Sequence, residues 1–264
     1  MTFEKTSQQA FFGTSALLFV ASATLTTVWC LSMSAMGEMP MPGGWSMSMA
    51  WMPIPGQTWA GAAVSFVGMW VVMMVAMMLP SLVPTLWRYR RTIGSRDGTH
   101  PSCLTSLAGI GYFLVWTVFG IVVFPLGATL AEVEMQQPAL ARVVPIAVGV
   151  VVVIAGALQF TTWKAHHLSC CREPWGRERT LPADAATAWR HGLRLGLHCT
   201  YGCAAFTAIL LVIGVMDLRV MALVTAAITA ERLAPNAERV ARAIGIVVVG
   251  VGLLLITRAA GRLG

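Results

Sequence analysis

The chain has 264 residues, 57% of them apolar and only 11% charged, with a net charge of +7. Soluble domains carry about 25% charged residues, so a soluble globular enzyme is excluded, and apolar runs of roughly twenty residues mark a polytopic membrane protein. The positive charge lies in loops between apolar spans, where orientation in a membrane explains it and nucleic-acid binding does not. The expected fold is an all-α transmembrane helical bundle forming a single domain over 1–264.

The first apolar run, about Phe11 to Leu31, follows a short segment with Glu4 and Lys5. Its length and weak flanking charge favour a retained first helix over a cleaved signal peptide. The next loop, about 33–58, holds Met33, Met36, Met39, Met41, Met47, Met49 and Met52 but no Cys, His, Lys or Arg. Pro40, Pro42, Gly44, Pro53 and Gly56 predict an irregular path. Thioether sulfur binds Cu(I) with no proton to lose. The competing reading is a hydrophobic loop lying on the bilayer, anchored by Trp45, Trp51 and Trp59.

Span 2 is expected from Trp59 to about Leu82, ending near Pro80 and Pro84 before Trp87, Arg88, Arg90 and Arg91. It carries Met69, Met73 and Met77 at four-residue steps, with Met74 and Met78 on an adjoining strip. Residues four apart share a helix face, so these thioethers form a ladder that could relay Cu(I). Met also serves as a flexible gap-filler between helices, which is the alternative. Span 3 is expected from Cys103 to about Leu126, with Glu132 and Glu134 in the following loop. Span 4 runs from Val143 to about Trp163, and span 5 from Leu193 to Met216. This alternation puts the N-terminus and the Arg-bearing loops on the cytosolic face, with the Met and Glu loops outside. The segment Val220 to Ala230 is only about 16 Å long as a helix, against roughly 30 Å of hydrocarbon. Extended to 216–233 it could span, and Ala243 to Thr257 would be the last crossing. Seven spans are favoured over six because seven put Arg232, Arg239 and Arg242 inside.

The inner loop, about 164–192, opens with a dense group of ligand types: Lys164, His166, His167, Cys170, Cys171 and Arg172, followed by Arg177 and Arg179. If the span 4 helix continues, His166 pairs with Cys170 and His167 with Cys171, and Lys164 and Arg172 lower the thiol pKa. Ordinary interfacial polar residues are the alternative. Span 5 opens with His198, Cys199 and Cys203. Buried free Cys is common as a small apolar residue, but His198 at membrane depth points to a partner or cavity. Cys103, preceded by His100, enters at the same face, so three helix ends offer thiols at one depth. Asp217 marks the turn beyond span 5. Glu231 and Arg232 are read as an interfacial ion pair, or alternatively as a proton or cation relay. The scattered Gly residues are read as helix-packing positions.

At these residues the chain resembles a bacterial family of predicted metal-binding integral membrane proteins. One span of the family pattern is matched by Trp70, Met73, Ala76, Met77, Met78 and Pro80. A loop pattern with two Cys is matched by Lys164, Leu168, Cys171, Arg172 and Pro174, with His167 in place of the first Cys. A third part is matched by Cys199, Cys203, Gly214, Val215 and Met216, with Gly202 in place of a further Cys. Glu231, Arg232 and Pro235 match the fourth. The resemblance covers about 59–260 and implies a bound metal, with His167 keeping a ligand and Gly202 removing one.

The leading expectation is therefore a metal-binding protein of the bacterial inner membrane, N-terminus cytoplasmic, that handles Cu(I) in preference to Zn(II). The expected ligands are Met73, Met77, Met78, His166, His167, Cys170, Cys171, His198, Cys199 and Cys203, with the bilayer, the ion and a soluble metallochaperone or membrane subunit as partners. A membrane thiol–disulfide enzyme is an alternative, disfavoured by the absence of Cys-x-x-Cys spacing, so the chain is read as a binding protein rather than an enzyme. An accessory subunit with incidental ligands is a third reading. No phosphate-binding loop occurs, so no nucleotide drive is encoded here.

Overall fold

Inside a bilayer every backbone amide must be satisfied within its own segment, so apolar runs of this length fold as helices. The computed structural model describes residues 2–263 apart from 36, 38, 43, 54–55, 94–100 and 173–183. Met36, His100, Pro174, Arg177 and Arg179 lie outside the described residues, as does the side chain of Arg172. The helices are α1 (Thr2–Ala35), α2 (Trp59–Ile93), α3 (Pro101–Gln136), α4 (Pro138–Leu158), α5 (Thr162–Arg172), α6 (Ala185–Ile213), α7 (Leu218–Leu233) and α8 (Ala237–Leu263). The all-α helical bundle is as expected.

Six helices, all but α5 and α7, are long and apolar enough to cross a membrane. The preference for seven spans rested on α7, which has 16 residues and so is about 24 Å long, short of the roughly 30 Å of hydrocarbon. Six helices therefore qualify by length and apolarity among the described residues. The chain through α7 nevertheless leads from Met216, beside Cys30 near the end of α1, to Glu231 at Lys164 of α5. Helix α8 then packs with Gly245 at Gln159 and Gly252 at Gly149, the path of the seven-span reading.

Two boundaries differ from expectation. Helix α2 runs through Pro80 and Pro84 to Ile93. Proline removes an amide donor from a helix, here the donors to the Ala76 and Pro80 carbonyls, but membrane helices tolerate that loss where the surrounding protein packs against them. Helix α3 likewise continues past Glu132 and Glu134, and only Gln137 separates it from Pro138 at the start of α4.

The methionine loop is ordered rather than irregular. Strands β1 (Met39–Met41) and β2 (Trp45–Met47) pair antiparallel, with Met39 opposite Met47 and Met41 opposite Trp45. Met41 and Met47 are buried against Ala131 and Ala141, and the Trp45 indole donates to the Ala141 carbonyl at 2.8 Å. Of the seven loop thioethers, the six described are all buried or half-buried. Met39, Met41 and Met47 pack the hairpin onto α3 and α4.

Glycines set the helix spacing, as read from the sequence. A Cβ at Gly149 or Gly156 of α4 would press on the backbone of α8 at Gly252 or Gly245. Between α3 and α6 the approach is closer still: a Cβ at Gly192 would collide with the Ala108 carbonyl, and one at Gly196 would lie 2.9 Å from the Tyr112 carbonyl. Bare backbone there lets α6 carry its cysteines against Tyr112. Gly192→Val should therefore destabilise the bundle by at least about 1–3 kcal/mol, the usual cost of overpacking, measured as a lowered midpoint of unfolding in detergent. Gly250→Ala, with nothing within 4 Å of its Cβ, should be close to neutral in the same assay.

Candidate metal centre

Helix α5 does not continue α4. The chain turns at Gln159–Thr161 and restarts at Thr162, with the Thr161 hydroxyl accepting from the Lys164 amide at 3.3 Å. On α5, Lys164, Leu168 and Cys171 fall at four- and three-residue steps and are all buried, so they form the stripe that faces the bundle. The Lys164 ammonium pairs with the Glu231 carboxylate of α7 at 2.7 Å. It also donates to the Gly202 carbonyl of α6 at 2.8 Å and lies 4.8 Å from the Phe206 ring centre. One lysine thus ties three helices together.

Glu231 being taken by Lys164, the expected Glu231–Arg232 ion pair does not form. Arg232 turns instead into a cluster of sulfurs. Its Nη2 lies 3.6 Å from Cys171 Sγ and 3.8 Å from Cys203 Sγ, while Nη1 donates to the Ser81 hydroxyl of α2 at 3.2 Å. Cys203 Sγ is 3.9 Å from Cys199 Sγ, and Cys199 Sγ is 2.8 Å from the Tyr112 hydroxyl of α3. The three thiols are buried, with none in a disulfide. Met73, Met77 and Met78 are buried in the same continuous core as Cys171, Cys199 and Cys203.

The imidazoles form a separate, more open group. His167 Nδ1 is 3.3 Å from His198 Nδ1 across the α5–α6 seam, flanked by Trp163 and Tyr201. Cys170 Sγ is 3.7 Å from His166 Nε2, the four-residue contact expected on a helix. The expected His167–Cys171 pairing fails, because Cys171 faces the core while His167 sits on the flank of that stripe towards α6. The two departures from the family pattern are spatial neighbours: a Cβ at Gly202 would lie 3.7 Å from His167 Cβ. Cys103 is exposed and does not join the other thiols, and Cys30 meets Met216 Sδ at 3.9 Å on its own.

The thiol electrostatics also differ from expectation. Burial pushes the Cys171 thiol up to about 12, outweighing the opposing pull of Arg232, so near neutral pH it is a protonated thiol. Burial, then the neighbouring His198 and His166, lower the His167 pKa, which keeps its imidazole in the neutral, ligating form. Among the described residues no three Cys, His, Asp or Glu side chains already converge on one point. The guanidinium of Arg232 bridges two of the thiols, Cys171 and Cys203. Sequence reasoning missed Tyr112 and the sulfur-facing role of Arg232, because neither stands near a cysteine in the chain.

Lys164 and Glu231 have side chains only 4% and 2% exposed. Removing one member of a buried pair strands a charge, at a cost of about 3–5 kcal/mol. Lys164→Met should lower the free energy of unfolding by that amount, and Lys164→Met combined with Glu231→Gln should recover most of it; additive losses would contradict the clamp.

No curated protein and no solved structure matches this chain. A family model described as PpoB2, copper chaperone, matches residues 67–255. That stretch carries the α2 thioethers, the four cysteines of α5 and α6, Lys164, Glu231 and Arg232. The chain belongs to the PpoB2 copper chaperone family.

Proposed function

We propose that this membrane protein carries Cu(I) as cargo on the thiolates of Cys199 and Cys203, with Cys171 beside them as an exchange ligand. The observation that carries this reading is the cluster in which Arg232 touches the sulfurs of Cys171 and Cys203 and Cys199 stands beside Cys203. A metal–thiolate bond of about 2.3 Å places two sulfurs about 4.0 Å apart at a trigonal centre, and Cys199 and Cys203 stand at 3.9 Å.

Charge supports the choice of ion. Lys164 and Glu231 neutralise each other, whereas Arg232 has no carboxylate partner among the described ion pairs. Cu(I) on two thiolates is a monoanion, which one guanidinium offsets. Zn(II) on the same two thiolates is neutral and leaves the half-buried Arg232 without a compensating anion beside the thiols, where an unpaired charge is costly. Binding releases the two thiol protons, and the ion leaves by ligand exchange, with no change of oxidation state. Met73, Met77 and Met78 serve as soft neutral ligands along the path, and His166, His167, Cys170 and His198 form a more accessible transfer station on the α5–α6 seam. The Arg-bearing helix ends favour the bacterial inner membrane with the N-terminus cytoplasmic, and a soluble metallochaperone or membrane subunit as the exchange partner.

Anaerobic titration of the purified protein with Cu(I) against a chromophoric chelator tests this. Wild type should take up Cu(I), and Cys199→Ser with Cys203→Ser should weaken binding by at least about 100-fold, beyond the range usual for outer-shell changes. Arg232→Met should weaken Cu(I) and improve Zn(II) relative to wild type. Equal Cu(I) affinity in wild type and the double cysteine variant would sink the proposal. Met73→Leu with Met77→Leu, a volume-conserving change, should leave equilibrium affinity intact and slow copper transfer to an acceptor.

A further inference from the structure

Away from the thiols, α1, α2 and α3 enclose a half-open groove of about 620 Å³. Its walls are apolar along most of their length, with Leu18, Val75, Leu79, Ile110, Phe113 and Leu114 among the lining residues. One end is different. There Arg90 Nη2 donates to the Ser7 hydroxyl of α1 at 2.9 Å and to the Ser102 hydroxyl of α3 at 3.0 Å, and its guanidinium lies 5.7 Å from the Phe11 ring centre. Arg88 and Arg91 stand exposed beside it. The described lining of the groove contains no carboxylate.

We infer that this groove binds one anionic phospholipid, with the phosphate at Arg90 and an acyl chain along α2 and α3. The polar end is made of donors: the guanidinium carries only N–H groups, and each serine hydroxyl that accepts from it retains its own O–H to give. Such an end suits an acceptor-rich anion, and Arg is well matched to phosphate oxygens. The dimensions agree as well. From Arg90 to Val75 the groove follows α2 for about 22 Å, and half a bilayer including its headgroup region is about 20–22 Å. Basic pockets between membrane helices bind anionic headgroups for this reason. A ubiquinone-like ring, being neutral, would leave the Arg90 charge without a partner.

Native mass spectrometry of the full chain, delipidated and then offered equal palmitoyl-oleoyl phosphatidylglycerol and phosphatidylcholine, tests the inference. Wild type should retain the anionic lipid about tenfold better, because phosphatidylcholine carries the same phosphate but its own choline cation offsets the charge that Arg90 would otherwise meet. Arg90→Gln should lose that preference, and Arg90→Lys should keep most of it. Ser106→Phe, which fills the groove from an exposed position, should lower retention of both lipids. Inorganic phosphate should not displace the bound lipid. An unchanged preference in Arg90→Gln, full retention in Ser106→Phe, or equal binding of the two lipids by wild type would overturn it.

Discussion

The contact on which the rest of the site depends is the buried pair of Lys164 and Glu231. At 2.7 Å, and almost fully removed from solvent, it fixes α5 against α7, while the second Lys164 contact, to the Gly202 carbonyl, fixes α5 against α6. Because α5 is docked by Lys164, Cys171 two turns later on the same stripe is delivered to the core. Because Glu231 is held by Lys164, the adjacent Arg232 is aimed at the sulfurs. Such a pair is weak evidence for net stability, since desolvation consumes most of the attraction. What it supplies here is register between three helices.

Upon that frame the chemistry is a matter of charge and softness. Thiolates in a low-dielectric core need a compensating cation, and the core offers one guanidinium unmatched by a carboxylate among the described ion pairs. A monovalent soft ion on two thiolates balances that single charge. The protonated state of Cys171 fits the same balance, because a third thiolate would add a charge with nothing to offset it. As a neutral third donor at a trigonal centre, the Cys171 thiol is also suited to exchange, since it can take up the ion as it gives up its proton. The thioethers of α2 add soft ligands at no charge cost.

Much of this was legible in the chain. The helical bundle followed from apolar run length, the glycine packing from the scatter of Gly through the spans, and the His166–Cys170 contact from four-residue spacing. The path of the methionine loop was not legible: the hairpin of β1 and β2 buries Met41 and Met47 against α3 and α4, a tertiary outcome that loop composition does not encode. Prolines at 80 and 84 signalled an end to α2, but the helix runs on to Ile93, packed among its neighbours. The site itself was half visible. Its cysteines stood out, but Tyr112 lies 87 positions from Cys199 and Cys171 lies 61 from Arg232. The expectation that nearby cations lower the Cys171 thiol failed because burial outweighs them.

The central claim is that copper sits on sulfur at α6 as Cu(I). Copper K-edge X-ray absorption of the Cu(I)-loaded full chain addresses it directly. A shell of two or three sulfurs at about 2.3 Å, replaced by nitrogen or oxygen in Cys199→Ser with Cys203→Ser, is the predicted result. A shell dominated by nitrogen in wild type, unchanged by those substitutions, would place the ion on the imidazoles of the α5–α6 seam and contradict the account.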